Sequence, residues 1–420
     1  MVSPSTYFSF VVFFFCSSNF AFTTAAQTTS PFKKIYAFGD SLTDTGNTRS
    51  VSGPAGFGHV SSLPYGSTFF HHPTNRYSDG RLVIDFVTET LLLPYLPPYL
   101  GHKGNASHGV NFAVAGSTAI NHAFFVKNNL TLDQTPQSIQ TQLIWFNKFL
   151  ASQGCNGAVS SSPECKAVFD DALIWVGEIG VNDYAYIIGS SVSSDRIREL
   201  AISSVTRFLQ VITEFSFFYK HGNNYSILIT KMKNQFSDGN VISSTQPGFM
   251  KLQTLLKKGV KNVVVQGLPP TGCLPLAMSL APEDDRDELG CVKSANNQTY
   301  THNVVYQNTV QDLRNQFPDA AIAYLDFWNA YAMVMKNRKK YGFKEPFMAC
   351  CGTGGPPYNF EVFSTCGTSN ASTCSNPSQY INWDGVHLTE AMYRALSQMF
   401  LSGTFSHPPF SSLTDRKQHV

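Results

Sequence analysis

Short runs of apolar, β-branched or aromatic residues recur along this chain, each followed by polar or helix-like sequence. The runs are residues 33–38, 110–114, 172–176, 260–265 and 321–325. Runs this short and this continuously apolar predict strands buried on both faces. Between them the apolar period changes. Over residues 135–150, Ile139, Leu143, Phe146 and Leu150 recur at spacings of four, three and four, which places them on one stripe of a helix. Strands alternating with helices call for a parallel sheet covered on both faces, because parallel neighbours need a right-handed crossover. Ligands of such sheets bind beyond the carboxyl ends of the strands, so residues just after each run are the candidates for chemistry.

One stretch breaks this rhythm. A helix beginning near Asp195 reaches Phe208, Leu209 and Gln210, and residues 211–253 then follow with no clean period, carrying Phe215, Phe217, Phe218 and Tyr219 beside Lys220, Asn223 and Asn224. Joining Gln210 to Thr254 restores one amphipathic helix that leads through Leu255 and Leu256 into the fourth strand. The segment therefore reads as an insertion into a helix. A translated retained intron suits its Phe, Tyr, Asn, Lys and Ile content, and a lid loop is the alternative, loops of this length being unusual in compact domains.

Composition narrows the class. Hydrophobic residues make up 43% of the 420 and charged residues only 14%, against an average of about 25% charged; a large folded core is expected. A net charge of +2 with no basic run gives a phosphate backbone nothing to follow, so nucleic acid is not an expected partner. Residues 1–26 are apolar from Tyr7 to Phe22 and end in Thr24, Ala25 and Ala26, the pattern of a signal peptide, although no Lys or Arg precedes the apolar part. A buried first strand or a membrane anchor is the alternative. No later stretch is apolar enough to span a membrane. Residues 27–420 are then expected to form one catalytic domain, interrupted at 211–253.

Nine cysteines become eight once Cys16 leaves with the leader, an even number that suits an oxidising compartment. Nearest-neighbour pairing joins Cys155 to Cys165 and Cys273 to Cys291, and leaves Cys350, Cys351, Cys366 and Cys374 to form two bridges of open connectivity. A zinc site is the rival reading, but neither Cys-x-x-Cys nor His-Glu-x-x-His occurs. No metal or other cofactor is expected. Asn-x-Ser/Thr triplets at Asn105, Asn129, Asn224, Asn297 and Asn370 are candidate glycosylation sites on the same route.

The chemistry concentrates after the strands. The first ends in Phe38, Gly39, Asp40, Ser41 and Leu42. A serine hydroxyl barely ionises at neutral pH, so a nucleophilic serine needs an exposed turn that a base can reach, and Gly39 permits one. Capping of the next helix is the plain alternative for Ser41. Asn111, Phe112, Ala113, Val114, Ala115 and Gly116 close the second strand on a glycine that lets a backbone N–H approach a ligand. Gly180, Val181, Asn182 and Asp183 follow the third and offer an amide donor for an oxyanion. Asp384 and His387 stand three residues apart near the end of the chain. Taken singly, these read as a turn glycine, an Asx turn and a helix entry; their order along the chain gives them weight.

In that order they resemble the plant GDSL esterase/lipases of the SGNH hydrolase superfamily, over about residues 32–410 apart from 211–253. Matching segments include residues 75–81 (Asn-Arg-Tyr-Ser-Asp-Gly-Arg), 266–270 (Gln-Gly-Leu-Pro-Pro), 350–352 (Cys-Cys-Gly), and Asn382 with Trp383 ahead of the acid. The resemblance implies a flavodoxin-like three-layer α/β/α sandwich with a five-stranded parallel sheet. It also implies a secreted carboxylic ester hydrolase of the plant apoplast or cell wall. Ser41 would be the nucleophile and His387 its base, held by Asp384. Backbone N–H groups of Ser41 and Gly116 and the Asn182 amide would form the oxyanion hole. The expected partner is a small-molecule, lipid or polysaccharide-linked ester, and a monomer is expected. Two other functions stay open: an acyltransferase that hands the acyl group to a sugar or alcohol, and a secreted binding protein that has kept the fold without turnover.

Other polar residues read as structural. Asp40 and Asp44 could be mistaken for a glycosidase-type carboxylate pair but suit turn roles better. His71, His72 and His108 lack metal spacing. Glu178 and Asp183 are expected to support the third block rather than to react.

Overall fold

A computed structural model describes residues 30–52, 59–101, 106–130, 132, 135–155, 162–213 and 260–415. The leader at 1–26, most of the 211–253 segment, Cys16, Asn105 and Asn224 lie outside the described residues.

The five expected parallel strands are β1 (Lys34–Phe38), β2 (Gly109–Asn111), β3 (Ala172–Val176), β4 (Asn262–Gln266) and β5 (Ala321–Leu325). They lie in the order β5-β4-β3-β1-β2, and a sixth strand, β10 (Ser406–His407), adds an antiparallel edge beside β5. Two residues of polar sequence carry no readable period, so that edge was not expected. Strand β2 is also shorter than the apolar run at 110–114, although Phe112 and Val114 still donate backbone bonds to Ala37 and Gly39 of the β1 segment.

Strict alternation sorts the sheet residues into two layers. Tyr36, Phe38, Ile174, Val176, Val263, Val265, Ile322 and Tyr324 face one core. It is covered by helices α2 (Ile139–Ser152), α4 (Ser194–Thr213) and α5 (Lys293–Gln316). Ile35, Ala37, Leu173, Trp175, Val264, Ala321, Ala323 and Leu325 face the other, beneath α1 (Val83–Thr90), α6 (Phe327–Lys336) and α7 (Glu390–Leu401). This is the three-layer sandwich expected from the sequence: both sheet faces are dry, and burial of apolar surface on both sides supplies the main stabilising term. The α2 stripe is as read from the sequence, with Ile139, Leu143, Phe146 and Leu150 all buried, while its first turn begins at the Ser138 cap. Helix α4 runs to Thr213.

A smaller cluster of Val60, Tyr65, Tyr77, Ala115, Trp383 and the cysteines 350, 351 and 366 lies apart from these layers. It is built on short strands: β6 (Glu345–Ala349) pairs in parallel with β9 (Tyr380–Asn382), and β7 (Cys351–Gly352) pairs antiparallel with β8 (Ser372–Thr373). Among the described residues four disulfides form: Cys155–Cys165, Cys273–Cys291, Cys350–Cys374 and Cys351–Cys366. The first two are the nearest-neighbour pairs, and the last two resolve the connectivity that the spacing left open. No helix among the described residues is long and apolar enough to cross a membrane.

Candidate active site

Ser41 lies on the first turn after β1. The backbone N–H groups of Thr43 and Asp44 both return to the Asp40 carbonyl at 3.1 and 2.9 Å, and the Asp40 carboxylate accepts from Leu42 N–H at 3.0 Å. Asp40 thus caps the turn that carries Ser41. Asp44 is consumed structurally. Its two oxygens accept from the N–H groups of Gly46, Asn47, Thr48 and Ala115 and from the Thr48 hydroxyl. Asn47 donates in turn to the carbonyls of Asn111 and Ala113, both at 2.8 Å. The loops after β1 and β2 are therefore joined by side chains, and Asp40 and Asp44 do not act as a pair.

Gly116, after β2, has a φ of +79°. A Cβ there would lie 2.3 Å from Thr135 Oγ1 and 2.9 Å from the Tyr186 hydroxyl oxygen, so both backbone conformation and space demand glycine. Its carbonyl accepts from Tyr186 at 2.8 Å. Beyond β3, the short helix α3 (Val181–Ala185) carries Asn182 and Asp183. Asp183 is structural, accepting from Ala119 and Ile120 N–H at 2.8 Å each. The Asn182 amide nitrogen donates to Asp40 Oδ2 at 3.1 Å and to the Ser117 carbonyl at 2.9 Å. Both of its N–H bonds are engaged, so an oxyanion would have to displace one of them.

Asp384 and His387 follow β9. The His387 Nδ1 lies 2.9 and 2.8 Å from the two Asp384 oxygens. Backbone N–H groups of Val386 and His387 also bond Asp384 Oδ1, at 2.8 and 2.7 Å, and the Tyr65 hydroxyl donates to Oδ2 at 2.9 Å. Burial alone would raise the Asp384 carboxyl. The charge of His387, its hydrogen bond and those backbone donors outweigh burial and hold it below the ordinary carboxylate value. The opposite ring nitrogen, Nε2, is buried and forms no hydrogen bond. Buried polar atoms are rarely left this way, and a reactive position is one standing reason. The imidazole is within electrostatic reach of Asp40, the neighbour of Ser41, and Ser41 and His387 are not hydrogen-bonded to each other.

Three residues support the site: Tyr65 and Gln142, which were not singled out in the sequence, and Tyr77, from the segment 75–81. Tyr65 orients the acid. Tyr77 packs against the His387 ring, centroids 4.6 Å apart. Gln142, fully buried on α2, bonds both the N–H and the carbonyl of Gly39 at 3.0 and 2.7 Å and the Ser117 hydroxyl at 3.1 Å. Of the two residues missed, a signal existed for Gln142: it is a polar residue lying within the apolar stripe that faces the sheet. The segment 75–81 serves as an anchor. Arg76 forms a buried two-bond pair with Asp85, and Arg81 bridges Glu89 and Glu390. Asp79 accepts from the Glu390 N–H at 2.7 Å, which ties the helix after His387 to the segment 75–81. His71, His72 and His108 are exposed, and no group of metal-ligating side chains occurs among the described residues.

Comparison with known proteins places this geometry in context. The profile of the GDSL-like lipase/acylhydrolase family matches residues 35–400. A GDSL esterase/lipase of Arabidopsis thaliana is 57% identical over 394 residues, covering 92% of this chain and 90% of the relative. A second from the same plant is 35% identical over 386 residues, covering 90% and 86%. The sinapine esterase of Brassica napus is 36% identical over 386 residues, covering 90% and 88%.

Proposed function

The chain belongs to the GDSL-like lipase/acylhydrolase family and is a carboxylic ester hydrolase, and from that premise we propose that it works through an acyl-enzyme formed on Ser41. His387 Nε2 takes the Ser41 proton as the hydroxyl attacks the ester carbonyl, then returns it to the departing alcohol. Asp384 keeps the Nδ1 proton in place and stabilises the imidazolium. Charge developing on the carbonyl oxygen is met by the N–H groups of Ser41 and Gly116 and by the Asn182 amide, which exchanges one of its resting bonds for the oxyanion. Water then attacks the acyl-enzyme by the same base.

The observation that carries this reading is the state of His387. One ring nitrogen is fixed by a carboxylate at 2.8 Å and the other is buried and unbonded, the arrangement a general base needs before substrate arrives. A panel of small aryl, choline and acyl-glycerol esters, run on purified protein beside Ser41→Ala, tests it together with a fluorophosphonate probe. Turnover and labelling are expected in the wild type and absent in the variant. Turnover that survives Ser41→Ala refutes the serine mechanism.

The same reading makes the protein secreted. The apolar leader at 1–26 and four disulfides support export to an oxidising compartment. Among the described candidates, Asn129, Asn297 and Asn370 are exposed and would carry glycans there.

A further inference from the structure

A cavity of about 210 Å³ opens between α5 and the start of α6, at the carboxyl end of β5. Two aromatic rings line it: Tyr300 on α5 and Trp328 on α6, centroids 5.2 Å apart and planes at 68°. Tyr300 is half exposed. Asp326, Asn308 and Asn329 line the same cavity. Asp326 is 6% exposed, and its two oxygens receive one bond each, both from Asn329, at 3.1 and 2.7 Å. A carboxylate has room for about four. The Trp328 indole N–H is buried and has no acceptor.

An under-used buried acceptor and an orphaned donor on the residues of one cavity define what a ligand there must supply. An anion is repelled by Asp326. A bare cation leaves the indole N–H unmet, and an apolar molecule leaves both groups unmet. A neutral ring bearing hydroxyls meets both, because each hydroxyl donates and accepts, while its C–H face lies on the exposed Tyr300 ring. The volume falls below the ~300–1,000 Å³ of drug-sized sites, which suits one ring and not an extended chain.

We propose that this cavity binds a single pyranose sugar ring, stacked on Tyr300 and hydrogen-bonded to Asp326, Trp328 and Asn308. Ser41 follows β1, three strand spacings away across β4 and β3, so the cavity shares the rim of the serine at a distance of about 14 Å. It is separate from the reacting groups and does not depend on their mechanism. Two sources supply such a ring. One is a carbohydrate from outside; the other is a glycan on exposed Asn297, which lies three residues before Tyr300 on the same face of α5.

The test titrates methyl glycosides of xylose, glucose, galactose and N-acetylglucosamine, with choline as the cation, into protein made through a eukaryotic secretory route, read by saturation-transfer NMR. Wild type and Asn297→Gln are compared first, and Tyr300→Ala and Trp328→Phe are then made in the background that binds. At least one glycoside is expected to bind in the millimolar range. Tyr300→Ala is expected to weaken it ~10-fold or more, the scale of a lost ring contact, and Trp328→Phe by ~2–10-fold, the scale of one hydrogen bond. Binding to wild type assigns the cavity to an outside sugar, and binding that appears only in Asn297→Gln assigns it to the chain's own glycan. Binding to neither overturns the proposal, as does undiminished affinity in Tyr300→Ala, or saturation by choline where no glycoside binds. Hydrolysis of a soluble nitrophenyl ester by Tyr300→Ala, expected at the wild-type rate, separates loss of this site from loss of the serine mechanism. Should Trp328→Phe not fold, as circular dichroism would report, the half-exposed Tyr300→Ala still decides.

Discussion

Replacing Asp384 by asparagine removes one charge and almost no volume, and the surrounding donors dictate how the new amide must sit. Oδ1 receives two backbone N–H groups, from Val386 and His387, at 2.8 and 2.7 Å. An NH2 group at that position would face two donors, so the amide oxygen must occupy it. The NH2 then takes the place of Oδ2, opposite His387 Nδ1 at 2.8 Å and the Tyr65 hydroxyl at 2.9 Å. Tyr65 can turn its hydroxyl to accept. The imidazole Nδ1 lies 2.9 Å from Oδ1 and 2.8 Å from Oδ2, so with an NH2 at the nearer position it meets that donor best by accepting at Nδ1, which moves its own proton to Nε2. That tautomer cannot take a proton from Ser41. In a serine protease the same exchange lowers kcat ~10⁴-fold with the geometry intact, equivalent to about 5.4 kcal/mol of transition-state stabilisation. Asp384→Asn is therefore expected to lose ~10⁴ in kcat on a soluble nitrophenyl ester, with KM little changed and unaltered thermal unfolding. Nitrogen-15 spectra of the His387 ring would report the tautomer directly. A variant that keeps more than about a tenth of the activity would refute the reasoning, because no acceptor at Nδ1 would then be required.

Two further outcomes follow from the same coordinates. Asn182→Ala is expected to cost ~10²–10³ in kcat, the usual loss for one oxyanion donor, and kinetics with KM unchanged would separate this from weakened binding. His302 is buried against Tyr184, its Nδ1 3.0 Å from the hydroxyl, and burial, with the charge of Arg198, lowers it from 6.5 to about 3. The folded imidazole stays neutral while the unfolded one gains a proton, so its contribution is complete above pH 6.5 and declines as pH falls toward about 3. At ~1.4 kcal/mol per pH unit, wild type is expected to lose about 2–3 kcal/mol more than His302→Gln between pH 6.5 and pH 4.5, read from urea unfolding. Equal losses would exclude His302 as a source of acid sensitivity.

The sheet was legible because its strands are buried on both faces. A run such as residues 172–176 has no polar position to confuse the period, and its bounds survive intact. Edge strand β10 was invisible for the opposite reason: Ser406 and His407 gain their conformation from pairing with Leu325 and Tyr324, not from their own pattern. The proposed site residues were legible as types in order along the chain, since serine, glycine, asparagine and the acid–histidine pair each follow a strand. What holds them was not. Tyr65 reaches Asp384 across 319 residues, and Gln142 reaches Gly39 across 103; no local spacing encodes contacts of that kind. Glu178 was noticed and assigned a supporting role, but its bond from Val181 N–H at 2.9 Å shows only in the fold.

The adjacent cysteines 350 and 351 have a consequence for when the enzyme becomes competent. Their backbone N–H groups bond the carbonyls of Asn382 and Trp383 at 3.0 and 2.7 Å, just before the proposed catalytic acid, and their sulfurs join them to Cys374 and Cys366. The proposed nucleophile, by contrast, follows β1 of the central sheet, whose own strands contain no cysteine. A chain still holding free thiols would thus assemble the half of its machinery that attacks before the half that activates the attack. Oxidation of these two bridges would then be the step that fixes the proposed acid and base in place.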